Sequence, residues 1–182
     1  MTREDELFRR MGQGESDAAQ ELIAMYYPEI LRYCAWNAPN RSLAEDAAQE
    51  TFLKAIRHFD SYVHRGKFRA FLYQIALHTC IDMQRKKWMS DVGYEQMTKE
   101  PAYREDGYES VDDGLQIRQM VRNLPGELQE IVLLRYGQEL TMREIAQIMN
   151  LPLRTVQSRL RSALKRLRRE LEEEGRDDYL DQ

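Results

Sequence analysis

Apolar residues recur along most of this chain at spacings of three and four, the repeat of amphipathic helices, and no strand-like alternation persists long enough to suggest a sheet. The clearest stretch is 140–167, LTMREIAQIMNLPLRTVQSRLRSALKRL, which predicts two short helices joined by a tight turn. Thr141 and Glu144 form a capping box for the first helix, with Ile145, Ala146 and Met149 as its apolar stripe. Asn150 tolerates the left-handed backbone of a sharp exit, Pro152 suits the first turn of the next helix, and Ala146 is small enough for a close crossing. The second helix divides in two. Leu153, Val156, Leu160, Ala163, Leu164 and Leu167 share the packing face, and Arg154, Gln157, Ser158, Arg161 and Lys165 the opposite one.

Upstream, residues 4–11 predict a short opening helix stopped by Gly12 and Gly14, after which Ser16 or Asp17 caps a longer one that Pro28 can bend or divide. Ser42 and Glu45 read as a second capping box, opening a helix that runs to Phe59. Its buried stripe is Ala48, Phe52, Ala55, Ile56 and Phe59, which leaves Asp46, Gln49, Glu50, Leu53, Lys54 and Arg57 outward. After a short loop at 60–66, residues 68–88 predict another helix with Phe68, Phe71, Leu72, Ile75, Ala76 and Thr79 toward the core. Periodicity then fades across 90–113, where Gly93, Pro101 and Gly107 punctuate an acidic stretch that reads as a flexible linker. A helix marked by Leu115, Ile117, Val121 and Leu124 follows, then a Pro125-Gly126 turn and a helix that Gly137 ends. There Arg135 occupies an apolar position, its stem packing and its head reaching outward.

The expected fold is therefore all-α, with two small helical domains joined by a flexible linker and a helix-turn-helix in the second. The boundaries fall at 1–89 for the first domain, 90–114 for the acidic linker, 115–175 for the second domain and 176–182 for an acidic tail. A length of 182 residues with 32% charged residues suits two modest cores.

The formal net charge of -4 hides a segregated distribution: 57–87 and 154–169 are basic, whereas 90–113 and 170–182 are acidic. Phosphate attraction is screened within roughly 8 Å at physiological salt, so the local field decides whether nucleic acid binds. Cys34 and Cys80 form no paired CxxC motif, which fits a reduced cytoplasmic protein, and His78 with Cys80 lacks a second pair of metal-ligand spacing. Neither a metal nor another cofactor is expected. No apolar run reaches the roughly 20 residues that cross a bilayer, so no membrane insertion is expected.

On the second helix of the 140–167 motif, Arg can bond a guanine edge bidentately and Gln an adenine edge, while Arg159, Arg166, Arg168 and Arg169 suit phosphate neutralisation. Lys67, Arg69, Tyr73, His78, Gln84 and the Arg85-Lys86-Lys87 end of the 68–88 helix interleave cations with aromatic and polar groups. That composition suits single-stranded or melted nucleic acid; for the terminal cluster taken alone, a solvated helix end with a favourable dipole is the better account. No glycine-rich phosphate loop, nucleophile elbow or paired metal motif points to an enzyme.

Three segments, AEDAAQETFLKAIRHF, FRAFLYQIALHTCIDMQRKK and LPGELQEIVLLRYGQELTMREIAQIMNLPLRTVQSRLRSALKRL, in that order and spacing, resemble bacterial RNA polymerase sigma factors of the extracytoplasmic-function group. The resemblance spans nearly the whole chain and leaves no room for the middle domain of larger sigma factors. It implies that the helix beginning near Ala44 docks on the clamp helices of the polymerase beta-prime subunit through Asp46, Gln49 and Glu50. It implies that Lys67, Arg69, Tyr73, Arg85 and Lys86 contact the melted -10 element, with Phe71, where many relatives carry Trp, in the core. It further implies that Arg154, Thr155, Gln157, Ser158, Arg161, Ser162 and Lys165 face the -35 element, and that a cognate anti-sigma factor is a possible partner. Arg154 stands where Gly is common and Gln157 where Lys or Arg is frequent, so the -35 preference does not carry over from relatives. A stand-alone helix-turn-helix regulator is the alternative; it would need neither the acidic patch near Ala44 nor the basic 68–88 helix.

Overall fold

The computed structural model describes residues 2–59, 62, 66–90 and 112–177, all of them in helices, turns and short connections with no strand among them. The chain divides into two compact units, Met1–Arg104 and Glu105–Gln182. Most of the expected linker, 91–111, and the tail from 178 lie outside the described residues.

The first unit contains α1 (Arg3–Gly12), α2 (Ser16–Asn37), α3 (Arg41–Arg57) and α4 (Phe68–Ser90). α1 starts at a complete Thr2/Asp5 capping box, and its buried Leu7 joins Leu22, Ile30, Tyr33, Phe68, Leu72 and Tyr73 in the core. Burying a Leu or Ile side chain contributes about 1.5–3 kcal/mol, so these contacts hold the helices together. α2 runs uninterrupted through Pro28. Pro28 lacks the N–H that would bond the carbonyl of Ala24, but both residues are exposed, so water can take its place.

Two expected helix starts differ from the observed ones. Glu15, not Ser16 or Asp17, occupies the cap position of α2, and it makes no side-chain capping bond. α3 begins two residues before the Ser42/Glu45 box: Asn40 Oδ1 accepts from the Leu43 N–H at 2.9 Å, and Glu45 instead pairs with Arg41 at 2.8 Å. Asn is as good a cap as Ser, and the earlier start gains the Ala44 N–H to Asn40 carbonyl bond at 3.1 Å. Ile56, expected in the buried stripe, is 43% exposed beside Leu53 at 50%.

The second unit contains α5 (Asp112–Asn123), α6 (Gly126–Val132), a π-turn (Leu133–Gly137), α7 (Met142–Ile148) and α8 (Leu153–Asp177). The π-turn closes through the Gln138 N–H to Leu133 carbonyl bond at 3.1 Å. Arg135 keeps its half-buried stem in the fold and donates from Nη1 to the Leu140 carbonyl at 3.0 Å, tying this turn to the entry of α7. Ile131, Leu134, Leu140, Ile145, Ile148, Val156 and Ala163 are buried to within 1% and form the core.

Candidate nucleic-acid interface

In the second unit, α7 is held at its start by the expected reciprocal bonds: the Glu144 N–H donates to Thr141 Oγ1 at 3.3 Å and the Thr141 N–H to Glu144 Oε2 at 2.8 Å. Ile145 and Ile148 pin its inner face, whereas Ala146 and Met149, expected in the same stripe, are only half-buried. Asn150 adopts φ 52°, the left-handed conformation expected of it, and the Leu151 N–H returns to the Ala146 carbonyl at 2.9 Å. This turn sets the direction in which α8 leaves.

α8 buries Val156, Leu160 and Ala163, which turns Arg154, Gln157, Ser158, Arg161, Ser162 and Lys165 to solvent with Thr155 half-buried between the faces. Positions 154, 158, 161 and 165 follow one another along a single helical row. No carboxylate occurs between Leu153 and Arg169, so this stretch of the helix places no negative charge of its own beside the row. Two members of the expected faces change place. Leu164, expected to pack, is 40% exposed, because burial along α8 fades beyond Ala163. Arg159, expected to neutralise phosphate, is half-buried and paired with Glu127 at 2.7 Å.

In the first unit, the outer side of α3 carries Asp46 and Gln49, both exposed, and Glu50, half-buried with Lys54 Nζ 4.0 Å away. Leu53 and Ile56 extend this acidic row into an apolar one, a mixed surface of the kind that binds a partner helix.

The expected strand-contacting group on α4 does not stay together. Lys67 is exposed immediately before the helix, and Arg85 and Lys86 are exposed near its far end. Gln84 fixes that end by donating from Nε2 to the Asn37 carbonyl at 3.0 Å. Arg69 instead engages Glu29, both carboxylate oxygens lying 3.0–3.2 Å from its nitrogens. Tyr73 is fully buried, its ring edge-on to Tyr33 at 5.4 Å and under the Arg69 guanidinium at 5.8 Å. Burial, with Glu29 adding to it, raises the Tyr73 phenol far above its ordinary range, so it stays neutral. Tyr73 thus belongs to the core, where it offers no face on which a base could stack.

Aromatic rings gather instead where α3 passes to α4. Tyr62 lies 4.8 Å from Phe71 and 5.5 Å from Phe68, and Phe59 lies 5.7 Å from Phe68. Burial, helped by the charge of Glu4, pushes the Tyr62 phenol up to about 12. Phe71 is half-buried within this cluster. Cys34 and Cys80 are buried with their sulfurs 3.9 Å apart, and among the described residues no three His, Cys, Asp or Glu are grouped to hold a metal. No described helix is long and apolar enough to cross a membrane.

Residues 22–89 match the family profile of sigma-70 region 2, and residues 114–167 that of sigma-70 region 4. The chain is 30% identical to the ECF RNA polymerase sigma factor SigW of Bacillus subtilis over 175 residues, 90% of this chain and 94% of that protein. It is also 30% identical to SigM of the same organism over 156 residues, 81% of this chain and 91% of SigM. In fold it is similar to CnrH, solved with the cytosolic domain of CnrY, at TM-score 0.71 and 18% identity over 94% of this chain and 98% of that one. It is likewise similar to RpoE from Bartonella quintana, solved with the anti-sigma factor NepR, at TM-score 0.69 and 22% identity over 84% of this chain and 96% of that one. Both halves of the chain match sigma-70 regions and SigW is spanned almost end to end, so the chain belongs to the extracytoplasmic-function group of the sigma-70 family of RNA polymerase sigma factors.

Proposed function

We propose that this sigma factor joins core RNA polymerase through the outer face of α3 and directs it to promoters by reading the -35 element with α8 and holding the opened -10 element along α4. The observation that carries this reading is that each unit bears its own surface, of opposite character: Asp46, Gln49 and Glu50 on α3, and the carboxylate-free row from Arg154 to Lys165 on α8. Carboxylates suit cationic groups on a polymerase helix, and the clamp helices of the beta-prime subunit are the expected partner. Arg154, Thr155, Gln157, Ser158, Arg161, Ser162 and Lys165 supply the donors and cations that major-groove reading requires. Among the described residues, Lys67, Arg85 and Lys86 are exposed cations on the proposed -10 side. Arg69 could join them only by leaving Glu29.

In this division of labour the first unit serves core and the -10 element, the second the -35 element, and the polymerase performs the chemistry of RNA synthesis. Unstacking a base costs a few kcal/mol, which contacts from the first unit must offset. The working compartment is the cytoplasm, where polymerase and promoter meet, and a cognate anti-sigma factor would act by covering one of the two surfaces. A stand-alone regulator would use the α8 row and leave the α3 face without a purpose.

The test is charge reversal on α3. Asp46→Arg or Glu50→Arg should weaken binding to core polymerase while leaving the affinity for an isolated -35 duplex intact. Unchanged core affinity in both variants would remove this face from the interface.

A further inference from the structure

α1 lies outside both segments matched by the family profiles, the first of which begins at residue 22. It is nonetheless built into the place where α3 passes to α4. Phe8 of α1 sits 5.1 Å from Phe68, 5.5 Å from Tyr62 and 6.4 Å from Phe59, meeting Phe68 and Phe59 edge-on. One ring therefore meets the second residue after α3, the first residue of α4 and a residue between them. Phe68 is 1% exposed, and Tyr26 closes its other side at 5.6 Å.

α1 is in turn held down along its length. The Tyr26 hydroxyl donates to the Glu4 carboxylate, and Arg10 pairs with Glu21 at 2.9 Å and with Glu15 at 2.8 Å. Two turns of helix thus carry Phe8 at a fixed height under the α3–α4 passage. The exposed cation Lys67 precedes Phe68 directly, and its carbonyl accepts the Phe71 N–H at 3.1 Å to open α4. The place of Lys67 thus follows from the seat of Phe68, and the seat of Phe68 follows in part from Phe8.

We infer that Phe8 is a positioning residue for promoter opening: through its ring contacts with Tyr62 and Phe68 it sets the start of α4, and with it Lys67, where the unpaired strand is held. This rests on the proposed role of the first unit at the -10 element. Strand capture tolerates little displacement of the capturing groups, so the consequence of loosening the cage appears in melting rather than in polymerase or -35 binding, whose surfaces lie on α3 and α8.

The experiment uses holoenzyme assembled from core polymerase and the full chain, with permanganate reactivity of unpaired thymines in the -10 element as readout. At saturating chain, Phe8→Ala and the milder Phe8→Leu should lower the opened fraction by about 3- to 10-fold, the scale expected for lost aromatic pairing. Phe8→Tyr should retain it, and a template with a pre-opened -10 bubble should restore transcription by the Ala and Leu variants. Core affinity should stay within about twofold. Glu4→Gln, which weakens the anchor of α1 without touching the ring, should fall between wild type and Phe8→Leu. Recovery of melting at higher chain concentration would show a folding or assembly defect and overturn the inference, as would wild-type melting in Phe8→Leu. A wild-type holoenzyme that opens no promoter would instead overturn the proposed function, and this inference with it.

Discussion

Arg159 on α8 closes a 2.7 Å ion pair with Glu127 in the first turn of α6, which withdraws it from the row of cations that the α8 sequence presents. The partners are 30% and 67% exposed, so the pair stabilises the unit by no more than about 1 kcal/mol. Its larger effect is on charge. Glu127→Gln should release Arg159 toward phosphate, tightening duplex binding and steepening the dependence of log affinity on log salt by about one unit. Anisotropy titrations of a -35 duplex across several salt concentrations measure both; an unchanged slope would show that Arg159 does not reach DNA.

Arg161 sits on the solvent row of α8 with no carboxylate near it in sequence. Arg161→Ala should cost about 1–3 kcal/mol at the preferred -35 site and much less on random duplex. Equal losses on both would make Arg161 a phosphate contact without a part in specificity.

Tyr62 gives the first unit an alkaline limit. Its phenol is raised from 10.0 to about 12, first by burial and then by the charge of Glu4. An acid whose folded pKa is raised contributes stability that is complete below the unfolded value and is lost as pH rises from about 10 to about 12. Tyr62→Phe should therefore lose less stability across that interval than the wild type in urea unfolding, although buried Tyr26 and Tyr73 leave part of the slope in place. Identical alkaline slopes would show that Tyr62 ionises freely.

The turn of the helix-turn-helix depends on a residue with φ 52°. Asn150→Ala should cost roughly 1–2 kcal/mol from the left-handed backbone, while Asn150→Gly should be neutral within about 0.5 kcal/mol. Denaturant unfolding of the full chain measures the difference, and an equal cost for both would locate the role of Asn150 in its side chain.

The motif at 140–167 was legible because each signal there is local: a capping box within one turn, a left-handed Asn, and an apolar stripe interrupted only where the chain turns. Where two local signals compete, sequence alone does not choose. Asn40 and Ser42 are both good caps, and the earlier one prevails because it adds backbone bonds and frees Glu45 for Arg41. Where the outcome depends on a distant partner, local pattern misleads. Tyr73 resembles a stacking residue until Tyr33 and the Arg69–Glu29 pair surround it, and Arg159 resembles a phosphate contact until Glu127, 32 positions earlier, is brought beside it. The aromatic cage was hidden for the same reason, since Phe8, Phe59, Tyr62 and Phe68 converge from separate elements.

As a sigma factor, this chain confers promoter choice on a polymerase that lacks it. The decisive measurement is transcription of host genomic fragments with core polymerase and purified chain, mapping the 5′ ends of the transcripts. Defined start sites that share upstream elements are expected when both are present, none with either alone, and loss of those starts with Asp46→Arg. The absence of defined starts from the mixture, or the same starts from core polymerase without the chain, would contradict it.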